Sequence, residues 1–345
     1  LSWTNSWAYS GLTLRRDGAE LVPLAGTDTT YTDTVPAVGV HTYELIAHLD
    51  SLSSQAAVCS VEVSYVAPVT LTLCAIDDTR SPHLSWTNGS TPYDRIEILI
   101  DGSAAPGSPL PATSTSYDSP PLDPGPHTFS VVPAIGSYKA EPSECSGTAL
   151  LPAPTAASCT LETDSWNVTV SWENNWQYDQ VILLRDGTSV ATLEGSATSA
   201  TDTVPTLGTY QYQIIGSLAG QNSDPASCSV EVSVVPQVRD ISCQAGEDRI
   251  IQVSWTNGAS GYEGIEILLD GVLVTSPALP GDSTAYSSEV LDPGEHTIGV
   301  RPFVGAVQAA LAQCTVIVPL PSPTQAECTA PAESWEVQLS WTNNW

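Results

Sequence analysis

Hydrophobic and polar residues alternate with a period of two along many short stretches of the chain. Residues 168–172 alternate valine or tryptophan with threonine and serine, and residues 96–100 carry isoleucine at every second position. Residues 129–131 and 43–47 repeat the pattern. Such alternation is typical of β-strands with one buried face, because successive side chains point to opposite sides of a sheet. No stretch shows a sustained period of 3.6 residues, so the pattern predicts an all-β protein.

A five-residue string, LSWTN or a close variant, divides the chain into repeated units. The successive spacings of its tryptophan are 83, 86, 83 and 86 residues. Two successive spacings add up to 169 residues, so the true period is a pair of units of two types, which we call A and B. The repeated tryptophans are Trp3, Trp86, Trp172, Trp255 and Trp341.

Local sequence distinguishes the two types of unit. A units read SWTNSW or SWENNW and then carry an Arg-Asp-Gly turn at Arg16 and Arg185, whereas B units read SWTNG and later carry LDPG at Leu122 and Leu291. A strand of the first B unit runs into an Asp-Gly pair at 101–102, which is a strong signal for a tight hairpin turn. Several short strands per unit, separated by such turn signals, predict a β-sandwich.

The repeat predicts five segments along a linear array of sandwiches. The linkers are short and contain proline, and they read VAPVT, LPAPT, VVPQV and LPSPT. Because proline stiffens a linker, we expect a semi-rigid, end-to-end array. The predicted segments are a partial A-type sandwich without its first strands (1–66), a B-type sandwich (67–152), an A-type sandwich (153–235), a B-type sandwich (236–320) and the first strands of a further A-type sandwich (321–345).

Three features recur in the units: a tryptophan at the end of the second strand (Trp86, Trp172, Trp255), a tyrosine at the start of the third strand (Tyr93, Tyr178, Tyr262) and an L-x-P-G corner before the sixth strand (122–125, 291–294). In this combination the units resemble fibronectin type III modules, which belong to the immunoglobulin-like sandwiches. The resemblance covers nearly the whole chain and implies seven-stranded sandwiches. The units look most like the cysteine-bearing tandem modules of large bacterial surface proteins.

The eight cysteines are spaced regularly. Neighbours across a linker lie 14 or 15 residues apart, so pairing them would need a sharp fold-back, because an extended segment of that length spans up to about 45 Å and a disulfide allows only about 7 Å between Cα atoms. The first and last strands of the resembled sandwich lie side by side, so we expect pairing within a unit. Each bridge would close a loop of about 70 residues and contribute about 3–4 kcal/mol. The expected pairs are Cys74–Cys145, Cys159–Cys228 and Cys243–Cys314.

Cys59 and Cys328 remain without a partner in this scheme. By the same spacing, the partner of Cys59 would lie before residue 1 and that of Cys328 beyond residue 345. Two interpretations are open: the sequence is a window of a longer array, or the partial units exchange strands between chains. We favour the window, because LSWTNSW at residue 1 and LSWTNNW at residue 339 repeat one string.

Composition restricts the partners and the location of the protein. Lysine and arginine number 9 against 38 aspartate and glutamate residues, which gives a formal charge of −29. This balance argues against binding to nucleic acid or to an anionic membrane surface. No apolar run reaches the roughly 20 residues of a membrane span. Regular, pairable cysteines indicate an oxidising compartment, so we expect an extracellular or cell-surface protein.

The junctions between units are predicted to alternate as well. A units carry an extra tryptophan in the loop after the second strand, and B units carry an arginine at the start of that strand, where the second A unit has Trp166. We expect Arg80 to stack on Trp176 and Arg249 on Trp345, a cation–π contact worth about 0.5–2 kcal/mol. The alternative is that these tryptophans cover their own sandwich or meet a neighbouring chain.

The sequence contains no motif that predicts catalysis. Zinc, phosphate-loop, nucleophile-elbow and calcium-loop patterns are missing, so no catalytic residue, metal site or cofactor is predicted, and only loose divalent cations between chains stay open. His41, His127 and His296 occupy one repeated position and are interpreted as structural. Asn88, in a loop expected to be exposed, and Asn167, on a strand, lie in glycosylation sequons.

These observations favour a structural, non-catalytic repeat region that forms or spans an extracellular filament or surface fibre. Its expected partners are neighbouring copies of the same array. The alternatives are stalk or adhesin repeats that carry a glycan- or protein-binding function, and accessory modules of a secreted enzyme. A binding module would have one unit with loops unlike its counterpart, whereas the loop tryptophans here recur with the period.

Overall fold

The computed structural model describes residues 1–343, and every helix or strand assigned in that range is a β-strand. The chain divides into two compact units, Leu1–Leu150 and Leu151–Trp345. The division falls at the linker that leads from a B unit into an A unit, two residues before the predicted segment boundary. Over residues 1–343, the structure contains no helix that is long and apolar enough to cross a membrane.

The first sandwich, residues 1–63, has one sheet of five strands. β3 lies between β1 and β5, and β2 forms the edge beyond β1. A single bridge between Ser2 and Thr30 lies outside this sheet. The strands are β1 (Gly11–Arg16), β2 (Ala19–Ala25), β3 (Gly39–Leu49), β4 (Leu52–Ser53) and β5 (Ala57–Val63).

The second sandwich has two sheets that face each other. One sheet contains β6, β7 and β11, and the other contains β8, β9, β10, β12, β13 and β14. The strands are β6 (Thr70–Ile76), β7 (Pro82–Thr87), β8 (Arg95–Ile100), β9 (Ser103–Ala104), β10 (Leu110–Pro111), β11 (Ser116–Asp118), β12 (Gly125–Ile135), β13 (Tyr138–Lys139) and β14 (Ser143–Ala149).

The third sandwich opens the second unit. Its smaller sheet contains β15, β16 and β19, and its larger sheet has the order β18-β17-β20-β21 with β22 on the other edge of β20. The strands are β15 (Thr155–Leu161), β16 (Asn167–Glu173), β17 (Gln180–Arg185), β18 (Thr188–Glu194), β19 (Ser199–Thr203), β20 (Gly208–Leu218), β21 (Gln221–Asn222) and β22 (Ala226–Val232).

The fourth sandwich repeats the plan of the second, and a two-stranded hairpin follows it. β23, β24 and β28 form one sheet, β25 to β27 and β29 to β31 form the other, and β32 pairs with β33. The strands are β23 (Arg239–Ala245), β24 (Ile251–Thr256), β25 (Gly264–Leu269), β26 (Val272–Leu273), β27 (Leu279–Pro280), β28 (Ala285–Ser287), β29 (Gly294–Val304), β30 (Val307–Gln308), β31 (Ala312–Val318), β32 (Thr324–Thr329) and β33 (Gln338–Thr342).

The alternating residues form these strands because one face of each sheet can be buried. In β16, Val168 and Val170 are 0% exposed and Trp172 is 4% exposed, whereas the threonine and serine between them reach solvent. Val181, Leu183 and other apolar residues of the larger sheet face them from the opposite layer. The core therefore lies between the two sheets of each complete sandwich.

Three disulfides join the first strand of a sandwich to its last strand. The Cα–Cα distances are 6.5 Å for Cys74–Cys145, 5.7 Å for Cys159–Cys228 and 5.9 Å for Cys243–Cys314, within the usual range. These are the pairs expected from the sequence. Cys59 and Cys328 carry free, exposed thiols.

Candidate functional site

The junction inside the second unit is built around Trp166, which immediately precedes β16. The residue is 2% exposed, and its indole Nε1 donates a hydrogen bond of 3.0 Å to the carbonyl of Val234, just after β22. Its ring meets the edge of Tyr262 from the fourth sandwich, with centroids 6.2 Å apart and planes at 68°. One side chain therefore packs against the linker and against the next sandwich.

The backbone fits closely around this indole. The N–H of Val204 donates to the Trp166 carbonyl at 3.0 Å. A Cβ added at Gly261 would lie 2.8 Å from the indole and would also collide with the carbonyl of Pro205. Trp166 and Val235 belong to one buried cluster that includes core residues of both sandwiches, so the third and fourth sandwiches share a continuous apolar core.

The matching junction in the first unit contains a cavity. Its volume is about 330 Å³, and its lining includes Val35, Tyr65 and Tyr93. These three residues lie 169 positions before the ones that contact Trp166 in the second unit. The cavity therefore occupies the place that the repeat assigns to a tryptophan.

The inner face of the first sheet is open beside this cavity. β5 has the sequence AVCSVEV and nearly repeats β22, ASCSVEV, which lies next to β15. In β5, Cys59 is exposed, and Val61, on the same face of the strand, is 47% exposed. A second cavity of about 140 Å³ opens on this face and is lined by Leu14, Tyr43, Cys59 and their neighbours. The first sandwich therefore presents an apolar surface, which we call the open sheet.

The hairpin of β32 and β33 exposes the side chains that its counterpart in the third sandwich buries. Every residue of both strands is exposed. Trp335 is fully exposed and Leu339 is 62% exposed, whereas their counterparts Trp166 and Val170 are 2% and 0% exposed. Cys328, on β32, has no partner either. Equivalent sequences thus have opposite burial because the hairpin has no facing sheet.

In the second to fifth repeated strings, the tryptophan donates a hydrogen bond to the asparagine of the same string. Trp172 Nε1 donates to Asn174 Oδ1 at 3.1 Å, and the second, fourth and fifth strings make the same bond at 3.0 Å. In the first sandwich, Trp3 Nε1 and Asn5 Oδ1 are instead buried without a hydrogen-bond partner. Buried polar atoms without a partner are rare, so the Trp3–Asn5 pair departs from the other described strings.

The repeated histidines each lie between two acceptors. His296 Nδ1 lies 2.8 Å from Asp270 Oδ2, and Nε2 lies 2.9 Å from the carbonyl of Asp292. Because both neighbours accept hydrogen bonds, the doubly protonated imidazolium fits best, and the bonds to Asp270 and to the carbonyl raise the pKa of His296. His41 and His127 make equivalent bonds.

The third sandwich has a tyrosine at this position. The hydroxyl of Tyr210 donates to the Thr206 carbonyl at 2.9 Å, four residues upstream, as the Nε2 atoms of the histidines do. The histidines therefore lock the corner before the long strand, in the manner of a tyrosine corner. Sequence reasoning placed them together but missed this bond, for which their common position was the signal.

The two arginines expected at junctions also bond within their own sandwiches. Arg80 Nε donates to the Leu122 carbonyl at 2.9 Å, and the Leu122 N–H returns a bond to the Arg80 carbonyl at 3.0 Å. The Leu291 N–H donates to the Arg249 carbonyl at 3.0 Å in the same way. Each arginine thereby ties the L-x-P-G corner to the turn before the second strand.

The loop tryptophans that were expected to stack on these arginines differ in burial. Trp176 is half-buried and packs against the core cluster of the second unit. Its counterpart Trp7 is 70% exposed. Trp345 lies outside the described residues. The stacking of Arg80 and Arg249 on tryptophans stays a prediction.

The two sequon asparagines are engaged in the fold. Asn88 is half-buried. Its Oδ1 accepts a hydrogen bond from Trp86 Nε1 at 3.0 Å, and its Nδ2 donates one to the Ala112 carbonyl at 3.4 Å. Asn167 accepts a bond of 2.7 Å from Thr203 Oγ1 on the neighbouring strand. The loop of Asn88 is therefore less open than the sequence led us to expect, and glycosylation stays a prediction at both positions.

In the described part of the chain, side chains able to bind a metal ion are not clustered. Among residues 1–343, no group of three or more histidine, cysteine, aspartate or glutamate side chains is arranged to hold a metal ion. The features of the site are apolar surfaces, an unfilled cavity and free thiols.

Comparisons with known proteins concern the fold. No protein-family model matches the chain, and no curated protein matches it. Among solved structures, a two-domain fibronectin type III segment of chicken tenascin is 22% identical with a TM-score of 0.39, and it covers 47% of this chain and 97% of its own. The central fibronectin III array of RIM-binding protein is 15% identical with a TM-score of 0.25, covering 73% and 97%.

A third comparison is of the same kind. The FN1–FN3 domains of chicken CNTN1 are 16% identical with a TM-score of 0.24, and they cover 73% of this chain and 98% of their own. The sheets described above make the chain an all-β tandem array of fibronectin type III-like sandwiches. Its three disulfides are typical of proteins in oxidising compartments outside the cytosol.

Proposed function

We propose that the chain is a structural, non-catalytic repeat region that forms or spans an extracellular filament or surface fibre. The observation that carries this proposal is the continuous core through the junction of the third and fourth sandwiches. Flexible tethers leave domains free to rotate, whereas a shared buried indole holds two sandwiches in one orientation. A pair held in this way is a stiff segment suited to repetition along a fibre.

Two further features support the proposal. A second bond crosses the same junction, from Arg239 Nη2 to the Asp164 carbonyl at 2.9 Å. The net charge of −29 favours solubility and opposes non-specific aggregation of exposed strands. Self-association would therefore depend on specific surfaces.

The proposal is tested by ¹⁵N relaxation of the full chain. If the third and fourth sandwiches form a stiff segment, their amides report one common rotational correlation time. Trp166→Ala removes the indole that joins them, so the two correlation times should separate. Trp7→Ala removes an exposed tryptophan of the first sandwich and serves as the control, which should leave both values unchanged.

Independent tumbling of the two sandwiches in the unmodified chain would contradict a stiff structural array. The same holds if Trp166→Ala leaves a folded pair that still tumbles as one body. Association between copies would slow the tumbling of both sandwiches, so the relaxation is measured at a concentration at which the chain is monomeric.

A further inference from the structure

The asparagine of the repeated string is followed by a glycine only in the B units. Gly89 follows Asn88 in the second sandwich, and Gly258 follows Asn257 in the fourth, whereas the A units have serine or asparagine at that position. Asparagine before glycine is the pair most prone to spontaneous deamidation. The reason is that glycine has no side chain to hinder attack of its backbone nitrogen on the asparagine side chain.

The linker that precedes each B unit requires this glycine. A Cβ added at Gly89 would lie 2.7 Å from the carbonyl oxygen of Pro68, and one added at Gly258 would collide with the carbonyl oxygen of Gln237. Because only glycine leaves space for so close an approach of another backbone, the linker can lie against the string only at this residue. The Asn–Gly pair is therefore a consequence of how a B unit holds its linker.

A tyrosine hydroxyl connects the glycine of the second sandwich to its linker. The Gly89 N–H donates to Tyr93 Oη at 2.6 Å, and Tyr93 Oη donates to the Ala67 carbonyl at 2.9 Å. The tyrosine is 9% exposed. The backbone nitrogen that would attack Asn88 is thus held in a buried hydrogen bond for as long as the linker stays in place.

The fourth sandwich repeats this arrangement. The Gly258 N–H donates to Tyr262 Oη at 2.9 Å, and Tyr262 Oη donates to the Pro236 carbonyl at 2.8 Å. The carboxamide of Asn257 is held as well, since its Oδ1 accepts from Trp255 Nε1 at 3.0 Å and its Nδ2 donates to a backbone carbonyl at 3.3 Å. Both reacting groups are therefore fixed by the fold.

We propose that Asn88 and Asn257 are deamidation sites that react when the linker leaves its tyrosine. The glycine nitrogen loses its proton to hydroxide and attacks the asparagine Cγ, so that a new C–N bond closes a cyclic imide and the side-chain nitrogen leaves as ammonia. Water then opens the imide at either carbonyl and gives aspartate or isoaspartate. One water is consumed, one ammonia is released, and no electrons are transferred.

The product cannot restore the original contacts. An aspartate at position 88 still accepts the hydrogen bond from Trp86 Nε1, but its carboxylate has no N–H to donate to the Ala112 carbonyl. Isoaspartate in addition lengthens the backbone by one carbon atom. Opening of a linker is thereby recorded irreversibly, at B units only, as one added negative charge.

The experiment compares Tyr93→Phe with the unmodified full chain at mildly alkaline pH. Peptide mass mapping over time measures aspartate and isoaspartate at Asn88 and at Asn257 in the same molecules. Loss of the hydroxyl should accelerate the reaction at Asn88 by about fivefold, the effect of one net hydrogen bond on the population of the open form, and should leave Asn257 unchanged. Tyr262→Phe should accelerate Asn257 and leave Asn88 unchanged.

The third sandwich supplies a matched control. Tyr178 Oη donates to the Pro152 carbonyl at 2.8 Å in the same manner, but Asn174 is followed by Asn175 instead of glycine. Tyr178→Phe should therefore leave Asn174 intact over the same period. Circular dichroism verifies that the three variants remain folded, and the full chain unfolded in urea gives the reference rate, which should exceed the native rate at Asn88 at least about tenfold.

Three results would overturn the proposal. The first is an equal rate at Asn88 in Tyr93→Phe and in the unmodified chain. The second is equal acceleration at Asn88 and Asn257 by either variant, because that would indicate a general loosening of the fold. The third is a native chain that reacts as fast as the chain unfolded in urea, because the fold would then give no protection.

Discussion

At the scale of single residues, the turn aspartate and the corner histidine form the most distinctive pair. Asp270 Oδ1 accepts the Thr297 N–H at 2.8 Å, and its Oδ2 faces the ring of His296. The bond from the Thr297 N–H and then the bond to His296 hold the pKa of Asp270 below its usual value. The pair is therefore an imidazolium facing a carboxylate over a broad range of pH.

Replacing the carboxylate of Asp270 tests whether it holds His296 in the charged form. The pKa of His296 is raised above 6.5, so its contribution to stability is complete below about pH 6.5 and is lost as pH rises through the higher folded value. The contribution of Asp270 is present above 3.8 and is lost as pH falls through its lower folded value. Asp270→Asn should therefore reduce the loss of stability between about pH 6 and pH 8, measured by denaturant unfolding.

The third sandwich provides the matched control. Asp186 accepts the same kind of backbone bond, from the Gln211 N–H at 2.9 Å, but Tyr210 takes the place of the histidine. Asp186→Asn should leave the pH dependence over that range unchanged. Equal effects of Asp186→Asn and Asp270→Asn would contradict the assignment to the histidine pair, as would an NMR titration of His296 unmoved by Asp270→Asn.

At the scale of strands, alternation predicted the elements but not their burial. The sequence around Trp172 and the sequence around Trp341 predict the same half-buried strand, yet only the first is covered, because burial depends on a facing sheet. The disulfide pairs could be expected, since cysteine spacing and the adjacency of first and last strands restrict them. The contact of Trp166 with Tyr262 was missed, because it joins residues of two sandwiches that no local pattern relates.

We expect the disulfides to raise the free energy of unfolding of the complete sandwiches, whose first and last strands they join. Cys159→Ser together with Cys228→Ser removes the link between β15 and β22 and should lower the free energy of unfolding of the third sandwich by about 2–5 kcal/mol. Cys59→Ser with Cys328→Ser changes the same residue types at unpaired positions and should cost less than about 0.5 kcal/mol in the isolated chain. Native-state hydrogen exchange measures the first value in the third sandwich and the second value in the strands that carry Cys59 and Cys328.

The unpaired double variant also distinguishes an effect of the disulfide bridge from an effect of cysteine packing. A loss for the unpaired double variant as large as that for the paired one would show that the cysteines act through packing. A loss near zero for Cys159→Ser with Cys228→Ser would contradict a stabilising bridge. Either result would leave the strand topology unaffected.

At the scale of the whole molecule, the chain divides into two compact units, and the alternation of unit types stays a prediction. Each of the two compact units contains one A-to-B junction, and the division between them falls at a B-to-A linker. The spacing of the tryptophans predicted the pairing of units. The junction in the second unit is filled by Trp166, whereas the position equivalent to Trp166 in the first unit lies before residue 1 of the given sequence, and a cavity stands there.

The disulfides have a mechanical consequence. In each complete sandwich the two cysteines lie 69 or 71 residues apart in sequence but only 5.7 to 6.5 Å apart in space. If the ends of the chain are pulled, the load crosses each sandwich through the sulfur bridge, and the enclosed loop carries none of it. About 230 Å of chain per sandwich thus stays locked even after unfolding, at roughly 3.3 Å per residue. We expect such an array to transmit tension with little lengthening until a covalent bond yields.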